Sequence, residues 1–402
     1  MSDFETVIRL AARGDGVTSG GRYVRGVAPG DTVRFDGDAA IITPGEHHQV
    51  PPCRHFPECG GCQLQQVDDA AYAEWVVARI LHALHGQGIE PRDVAPIHLS
   101  PPRSRRRASL RATKRGRSVD IGFNAEASHR LVDMHECHIL RPELFALVAP
   151  LRELLGGLLT DGQGSGVTMT RVEGGIDLLL SNLDARPLAA IERLTAFALD
   201  RGLVRLAVET AAGIDILAQA GEPAVRIDGV ALPLPPASFL QATLDGEAAL
   251  QAAVLAATAG AGTCADLFCG VGTFALPLSG KMRVHAADAA GPAVEALGGA
   301  ARAAGRRLSV EHRDLFRRPL RADELKRFDA VVIDPPRAGA AAQTAELAAA
   351  KAPMIAAVSC NPNTFARDAA LLTAAGYRLE KLWPVGQFRW SKHVELAAQF
   401  VQ

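Results

Sequence analysis

A chain of 402 residues is longer than one hydrophobic core ordinarily serves, so two or three domains are expected. With 48% hydrophobic and 22% charged residues, the composition is that of a soluble globular protein and excludes a disordered one. The 43 basic and 44 acidic residues leave a net charge of −1, so attraction to a polyanion would have to come from local clustering.

The first ten residues mix Asp3, Glu5 and Arg9 with apolar side chains and hold no uninterrupted apolar segment of signal-peptide length. Later apolar segments are Ala-rich and broken by Gly, Pro or charge, so no membrane span is expected. A cytoplasmic monomer is the expectation, and in reducing cytosol the seven cysteines point to metal or catalysis before disulfides. Residues 5–42 read as short strands split by turns (Thr6–Leu10, Arg13–Val17, Gly21–Arg25, Asp31–Phe35), a small β-barrel pattern. The turn Gly26-Val27-Ala28-Pro29-Gly30-Asp31 resembles one found in TRAM modules, which are OB-like RNA-binding barrels.

After Val50-Pro51-Pro52 comes Cys53-x5-Cys59-Gly60-Gly61-Cys62, with Cys137 far downstream. Four thiolates suit a 4Fe-4S cluster or zinc. Three ligands in one Gly-containing loop and a single distant fourth fit iron–sulfur better than the paired Cys-x2-Cys knuckles of structural zinc, but zinc stays open. A helical stretch follows over Asp69–Leu84. Between Arg103 and Arg117 there are eight Lys or Arg residues and no acid, a candidate phosphate-contacting patch in which Arg103, Arg105, Arg106 and Arg107 lead. The alternative is a solvated charged face. Residues 86–235 mix strand-like and helix-like segments, as in an α+β domain. The expected division is 1–48, 49–236 and 237–402.

From residue 237 the pattern becomes βα alternation: Thr263–Phe268, Arg283–Ala287, Ser309–His312, Phe328–Ile333 and Met354–Ser359 are each followed by a helical stretch, as in a parallel doubly wound sheet. The last two strands, near Tyr377–Trp383 and His393–Phe400, have no crossover helix between them and are expected to pair antiparallel at an edge. Asp266-Leu267-Phe268-Cys269-Gly270-Val271-Gly272 sets a Gly-x-Gly turn after a buried strand, where a ligand can approach the backbone. The turn alone does not exclude a dinucleotide. Asp288 closes the second strand, where it could accept ribose hydroxyls, and Asp314 follows the third, where it could receive an adenine amine; both could instead be helix N-caps. Three acidic strand ends in order read as an adenosine site.

Asp334-Pro335-Pro336-Arg337-Ala338-Gly339 ends the fourth strand and Ser359-Cys360-Asn361-Pro362 the fifth, both on the crevice side of such a sheet. Arg337 stands where an enzyme methylating an exocyclic amine would carry an aromatic residue. Carbon 5 of a pyrimidine needs a soft nucleophile added at carbon 6 before it can take an electrophilic methyl group, and a cysteine thiolate can serve. Cys360 is the candidate nucleophile, with a small buried core cysteine as the alternative. Glu395, in His393-Val394-Glu395, is the candidate base for the carbon 5 proton.

Ser238-Phe239-Leu240-Gln241, Asp266 to Phe274, Asp334 to Gly339, Ser359 to Thr364 with Arg367-Asp368, and His393-Val394-Glu395 resemble the RNA uridine-5-methyltransferase family, in its iron–sulfur branch that modifies large-subunit ribosomal RNA. The resemblance implies a Rossmann-like domain using S-adenosylmethionine, a TRAM-like barrel and a middle domain with a 4Fe-4S cluster on Cys53, Cys59, Cys62 and Cys137. It implies that Gln241, Asp266, Phe268, Gly270, Gly272, Asp288, Asp314 and Asp334 line the methyl donor and that Phe239 lies by the reacting groups. Asp334 would also help place the uracil, Cys360 would attack and Glu395 would act as base on a uridine flipped out of an RNA loop. In one departure, Phe388-Arg389-Trp390-Ser391-Lys392 replaces the Phe-Pro-x-Thr that usually precedes the terminal His-Val-Glu, which leaves the choice between ribosomal and transfer RNA open; a non-catalytic iron–sulfur RNA-binding protein is the alternative from another class, against which Cys360 and Glu395 stand.

Overall fold

The computed structural model describes residues 4–37 and 39–402; Met1–Asp3 and Asp38, which fall in the expected N-terminal barrel, lie outside them. Strands Phe4–Leu10, Gly16–Thr18, Tyr23–Val24, Thr32–Asp36 and Ala39–Thr43 form a five-stranded antiparallel partial barrel around Val7, Val24, Val27 and Val33. The stretch expected as a strand from Arg13 instead turns at Gly14, whose φ is +94°, and pairing begins at Gly16. Gly16 is required there, because a Cβ would lie 2.2 Å from Val27 Cγ2. Fully buried Asp31 locks the Pro-Gly-Asp turn by accepting from the backbone N–H of Ala28 (2.7 Å) and Gly45 (2.8 Å), with His48 Nδ1 also 2.7 Å away.

The middle segment builds a seven-stranded sheet, in spatial order Leu131–Asp133, Ser118–Asn124, Arg107–Arg115, Gly164–Val172, Gly175–Ser181, Arg205–Thr210 and Gly213–Gln219. Helices Val148–Gly156 and Leu188–Asp200 cover one face, burying Leu110, Ile121, Met169 and Leu178. The other face carries Ser109, Arg111, Gly166 and Ser181 along a groove.

The C-terminal sheet runs Leu308–His312, Arg283–Asp288, Thr263–Leu267, Ala330–Ile333, Met354–Ser359, Glu395–Val401, Arg378–Gly386. Its first five strands are parallel and its last two antiparallel. Both faces are packed, so the inner strands are almost continuously apolar: all of Ala330–Ile333 is buried. On one face Ala265, Val331 and Ile355 join an apolar cluster that extends to the long helix Asp69–His85; on the other Cys264, Val332 and Ala356 share a cluster with the helix Leu244–Ala257. The antiparallel pair is not the edge. Asp93–Val94 and His98–Leu99 add parallel to Arg378–Gly386, so the middle segment completes this sheet. Among the described residues no helix is long and apolar enough to cross a membrane.

Candidate active site

The cofactor side of the crevice is built at the end of Thr263–Leu267. Phe268 has φ +62°, unusual for a bulky residue and a mark of a tightly constrained turn. Gly270 (φ +52°) faces open space, whereas a Cβ on Gly272 would lie 2.4 Å from Leu297 Cδ1, so one glycine leaves room for a ligand and the other lets the next helix pack. Asp288 Oδ2 accepts from the Gly270 N–H at 2.9 Å and Oδ1 from the Ala290 N–H at 2.7 Å, which ties the turn to the second strand. Asp314 caps its own turn, accepting from Phe316 and Arg317 N–H, yet its side chain stays 41% exposed and available to an amine. Asp266 is fully buried with neither carboxylate oxygen hydrogen-bonded within the protein, and burial followed by Asp334 pushes its pKa well up; it lies beneath the turn.

The reacting side follows from strand register. Leu267 pairs with Ile333, Ile333 with Ala357, and Ser359 with Leu396. Phe268, Asp334, Cys360 and Glu395 are the next residues at the same end of four adjacent strands, so the sheet itself brings them together. The Asp334 loop is fastened to the Cys360 loop: Asn361 Nδ2 and Thr364 Oγ1 donate to the Arg337 carbonyl, and Asp368 Oδ2 accepts from Ala340 N–H at 2.8 Å. A Cβ on Gly339 (φ +74°) would meet Arg367 and Asp368 within 2.6 Å, which explains that glycine.

Burial dominates the electrostatics. It pushes the Cys360 thiol up to about 11, helped by Glu395 and Asp334 and opposed by Arg337. It raises Glu395 to about 8, with Asp334 adding and Gln387 opposing, and Asp334 to about 7, with Asp288 adding. With Cys360 repelled by Glu395 and Asp334, and Glu395 by Asp334, these groups hold protons near neutral pH and can exchange them with a bound base, as general acid–base chemistry requires. Phe239, by contrast, is 60% exposed, with the Arg107 guanidinium 5.8 Å from its ring centre.

The basic run divides. Arg103 is exposed and Arg107 half-buried, but Arg106 is only 3% exposed and is paired to buried Glu247, so it cannot contact phosphate. Its Nε also donates to the Gln241 carbonyl at 3.0 Å, which anchors the Phe239–Gln241 segment to the middle sheet. Arg106→Ala would strand Glu247 in the interior and is expected to cost about 3–5 kcal/mol in chemical denaturation; a loss below about 1 kcal/mol would mean the pair is dispensable. Arg105 is likewise turned inward, lining the cysteine cavity with its guanidinium 5.6 Å from the Phe388 ring centre.

Cys53, Cys59, Cys62 and Cys137 ring that single cavity together with His55, Phe123 and Met134. Burial raises all four thiols, Cys62 to about 12. The departing segment 388–392 abuts this loop. The Trp390 carbonyl accepts from Gln63 N–H (2.7 Å) and Leu64 N–H (3.0 Å), and Arg389 donates to the Ser100 carbonyl and pairs with Asp69.

Residues 237–401 match the family described as tRNA (uracil-5-)-methyltransferase. An uncharacterized RNA methyltransferase of Zymomonas mobilis is 44% identical over 98% of this chain and 99% of its own. The 23S rRNA (uracil(1939)-C(5))-methyltransferase RlmD of Pectobacterium atrosepticum is 31% identical over 90% of this chain and 82% of its own. The chain belongs to the RNA (uracil-5-)-methyltransferase family. As a member it is an S-adenosylmethionine-dependent RNA uracil-5-methyltransferase, and the resemblance carried by its motifs is borne out. The crystal structure of the Pyrococcus abyssi tRNA (uracil-54, C5)-methyltransferase in complex with S-adenosyl-L-homocysteine has the same fold, with TM-score 0.77 and 22% identity over 99% of both chains. One residue the sequence reading passed over stands at the centre of this methyltransferase crevice: Gln387, 2% exposed, between Gln241 and Glu395.

Proposed function

We propose that this methyltransferase acts on a uridine of 23S ribosomal RNA through a covalent Cys360 adduct. The observation that carries the mechanism is the placement of Asp334, Cys360 and Glu395 at the same end of three adjacent strands. The methyl donor, held by Gln241, Phe268, Gly270, Asp288 and Asp314, supplies an electrophilic methyl group. Cys360 Sγ gives up its proton to a neighbouring carboxylate and adds to carbon 6; the carbon 5–carbon 6 π electrons shift towards the carbonyl at carbon 4 as an enolate. Asp334 holds the uracil edge in that form. Carbon 5 takes the methyl group, the donor leaving as its thioether. Glu395 then removes the carbon 5 proton, the double bond returns, and the Cys360 thiolate leaves with the electron pair of the carbon–sulfur bond.

Ribosomal RNA is favoured by the likeness to RlmD, which extends through the cysteine segment. Transfer RNA is the second reading, supported by the description of the matched family. Methyl incorporation into ribosomal and transfer RNA from a strain lacking the protein separates them: labelling confined to transfer RNA overturns the first. RNA would run over exposed Arg103, the outward-facing Arg107 and Arg111, and Phe239, with the N-terminal partial barrel acting as a TRAM-like module. The cytoplasm, where such RNA is found, is the compartment we assign, and the boundaries 1–48, 49–236 and 237–402 the domain division.

The four cysteines fit a 4Fe-4S cluster. They ring a cavity and do not converge on a point, since among the described residues no three His, Cys, Asp or Glu side chains could hold a single ion. A cuboidal cluster interposes its irons and sulfides between its ligands, and nearby Arg105 offsets the anionic charge of the assembly. Methyl transfer moves no net electrons, so Cys53, Cys59, Cys62 and Cys137 hold a structural group. Cys137→Ser purified without oxygen is expected to lose the broad absorption near 400 nm and most of its iron, from roughly four atoms per chain; native protein containing stoichiometric zinc would reject the cluster.

A further inference from the structure

We propose that Gln387 is a positioning residue that fixes Gln241 and Glu395 together, so that the donor-binding side of the crevice and the proton-accepting side are set by one amide. The idea rests on Glu395 as base and Gln241 as a holder of the methyl donor. Gln387 follows the strand Arg378–Gly386, and the pairing of Val385 with Glu395 sets it at the mouth of the hairpin facing that carboxyl. Its amide has three partners. Oε1 accepts from the Ala242 backbone N–H at 3.0 Å, and Nε2 donates to Gln241 Oε1 at 2.7 Å and to Glu395 Oε2 at 3.0 Å.

The backbone N–H of Ala242 can only donate, so it dictates which way the Gln387 amide points. Nε2 must then face the other two groups. By occupying Gln241 Oε1 it forces the Gln241 Nε2 outward, 3.5 Å from Asp334 Oδ2, on the side where the donor is held. By occupying Glu395 Oε2 it leaves Oε1 as the oxygen that collects the proton, and it favours the ionised carboxylate against the burial that opposes it. Room for this amide is built in from the neighbouring helix: a Cβ on Gly246 would lie 2.7 Å from the Gln387 Cβ. A hydrophobic residue at 387 would fill the same space and perform neither task.

Two variants test this, read by methyl incorporation into total RNA from a strain lacking the protein and by the amount of RNA–protein adduct resisting denaturing electrophoresis. Gln387→Met keeps the volume and removes the donor. It is expected to lower kcat by about 10–100-fold, raise KM for S-adenosylmethionine by about tenfold and let adduct accumulate, because proton removal slows more than thiolate addition. Gln387→Glu keeps the shape and can donate one hydrogen bond in place of two, and only while protonated, so its residual activity is expected to fall as pH rises, opposite to the native enzyme. Should Gln387→Met fail to fold, the reversed pH profile of Gln387→Glu still decides. If both variants keep the native kcat, KM, adduct level and pH profile, the proposal is overturned. Glu395→Gln run alongside tells the two failures apart: if it accumulates adduct while both Gln387 variants look native, only Gln387 is excluded, and if it turns over normally, the base assignment itself falls.

Discussion

Cys360→Ala is expected to abolish methyl transfer, with a fall in kcat of roughly 10⁴-fold or more and RNA affinity retained. The size follows from chemistry. Without a sulfur on carbon 6, carbon 5 of the uracil stays too electron-poor to displace a sulfonium methyl group, and the other thiol at a strand end here, Cys269 in the Gly-x-Gly turn, is only 4% exposed. Cys264 and Cys269, the remaining thiols of the sheet, are buried among apolar side chains. Cys360 is half-exposed, as a nucleophile must be. Its thiol, held up to about 11 by burial and two carboxyls, is protonated at rest, so the reaction needs a base within reach. Single-turnover kinetics with the purified variant check this; a rate within tenfold of native would remove covalent catalysis from consideration.

How much of this was readable from the sequence depends on whether the deciding interactions are local. The parallel strands were legible because burial on both faces turns them into apolar runs, and a Gly, Asp or Cys at their ends then marks the crevice. The fifth barrel strand, Ala39–Thr43, was not singled out, since most of its side chains are exposed and nothing in its pattern requires pairing. Asp93–Val94 and His98–Leu99 were missed as members of the C-terminal sheet because their partners lie almost three hundred residues on. Arg106 was misassigned although strand periodicity carried the answer. It shares a phase with Ala108, Leu110 and Ala112, the buried face, whereas Arg107, Ser109 and Arg111 point outward. Charge density was read where alternation should have decided. Gln387 could not be found this way: its donors and acceptors, Ala242, Gln241 and Glu395, meet only once the whole sheet is assembled.

Glu395→Gln is expected to stop the reaction after the methyl group has moved. The glutamine matches the carboxyl in size and can hydrogen-bond to Gln387, so thiolate addition and methylation proceed; the carbon 5 proton then has no acceptor, and the thiolate cannot leave. Turnover should fall by about 10²–10⁴-fold, the usual worth of a positioned base, while methylated RNA stays attached to the protein through denaturing electrophoresis. The pH dependence follows from the same carboxyl. Because it must be ionised to accept a proton and is held up to about 8 by burial and Asp334, native kcat should rise with pH towards that value, with Asp334, near 7, coupled to it. Stability runs the other way. The folded pKa lies above the ordinary 4.5, so the neutral carboxyl contributes stability that is complete below 4.5 and lost as pH climbs to about 8. Glu395→Gln, neutral throughout, should therefore be more stable than the native protein at pH 8 and not at pH 5. A variant that both releases its RNA and keeps the native pH profile would show that the proton leaves carbon 5 by another route.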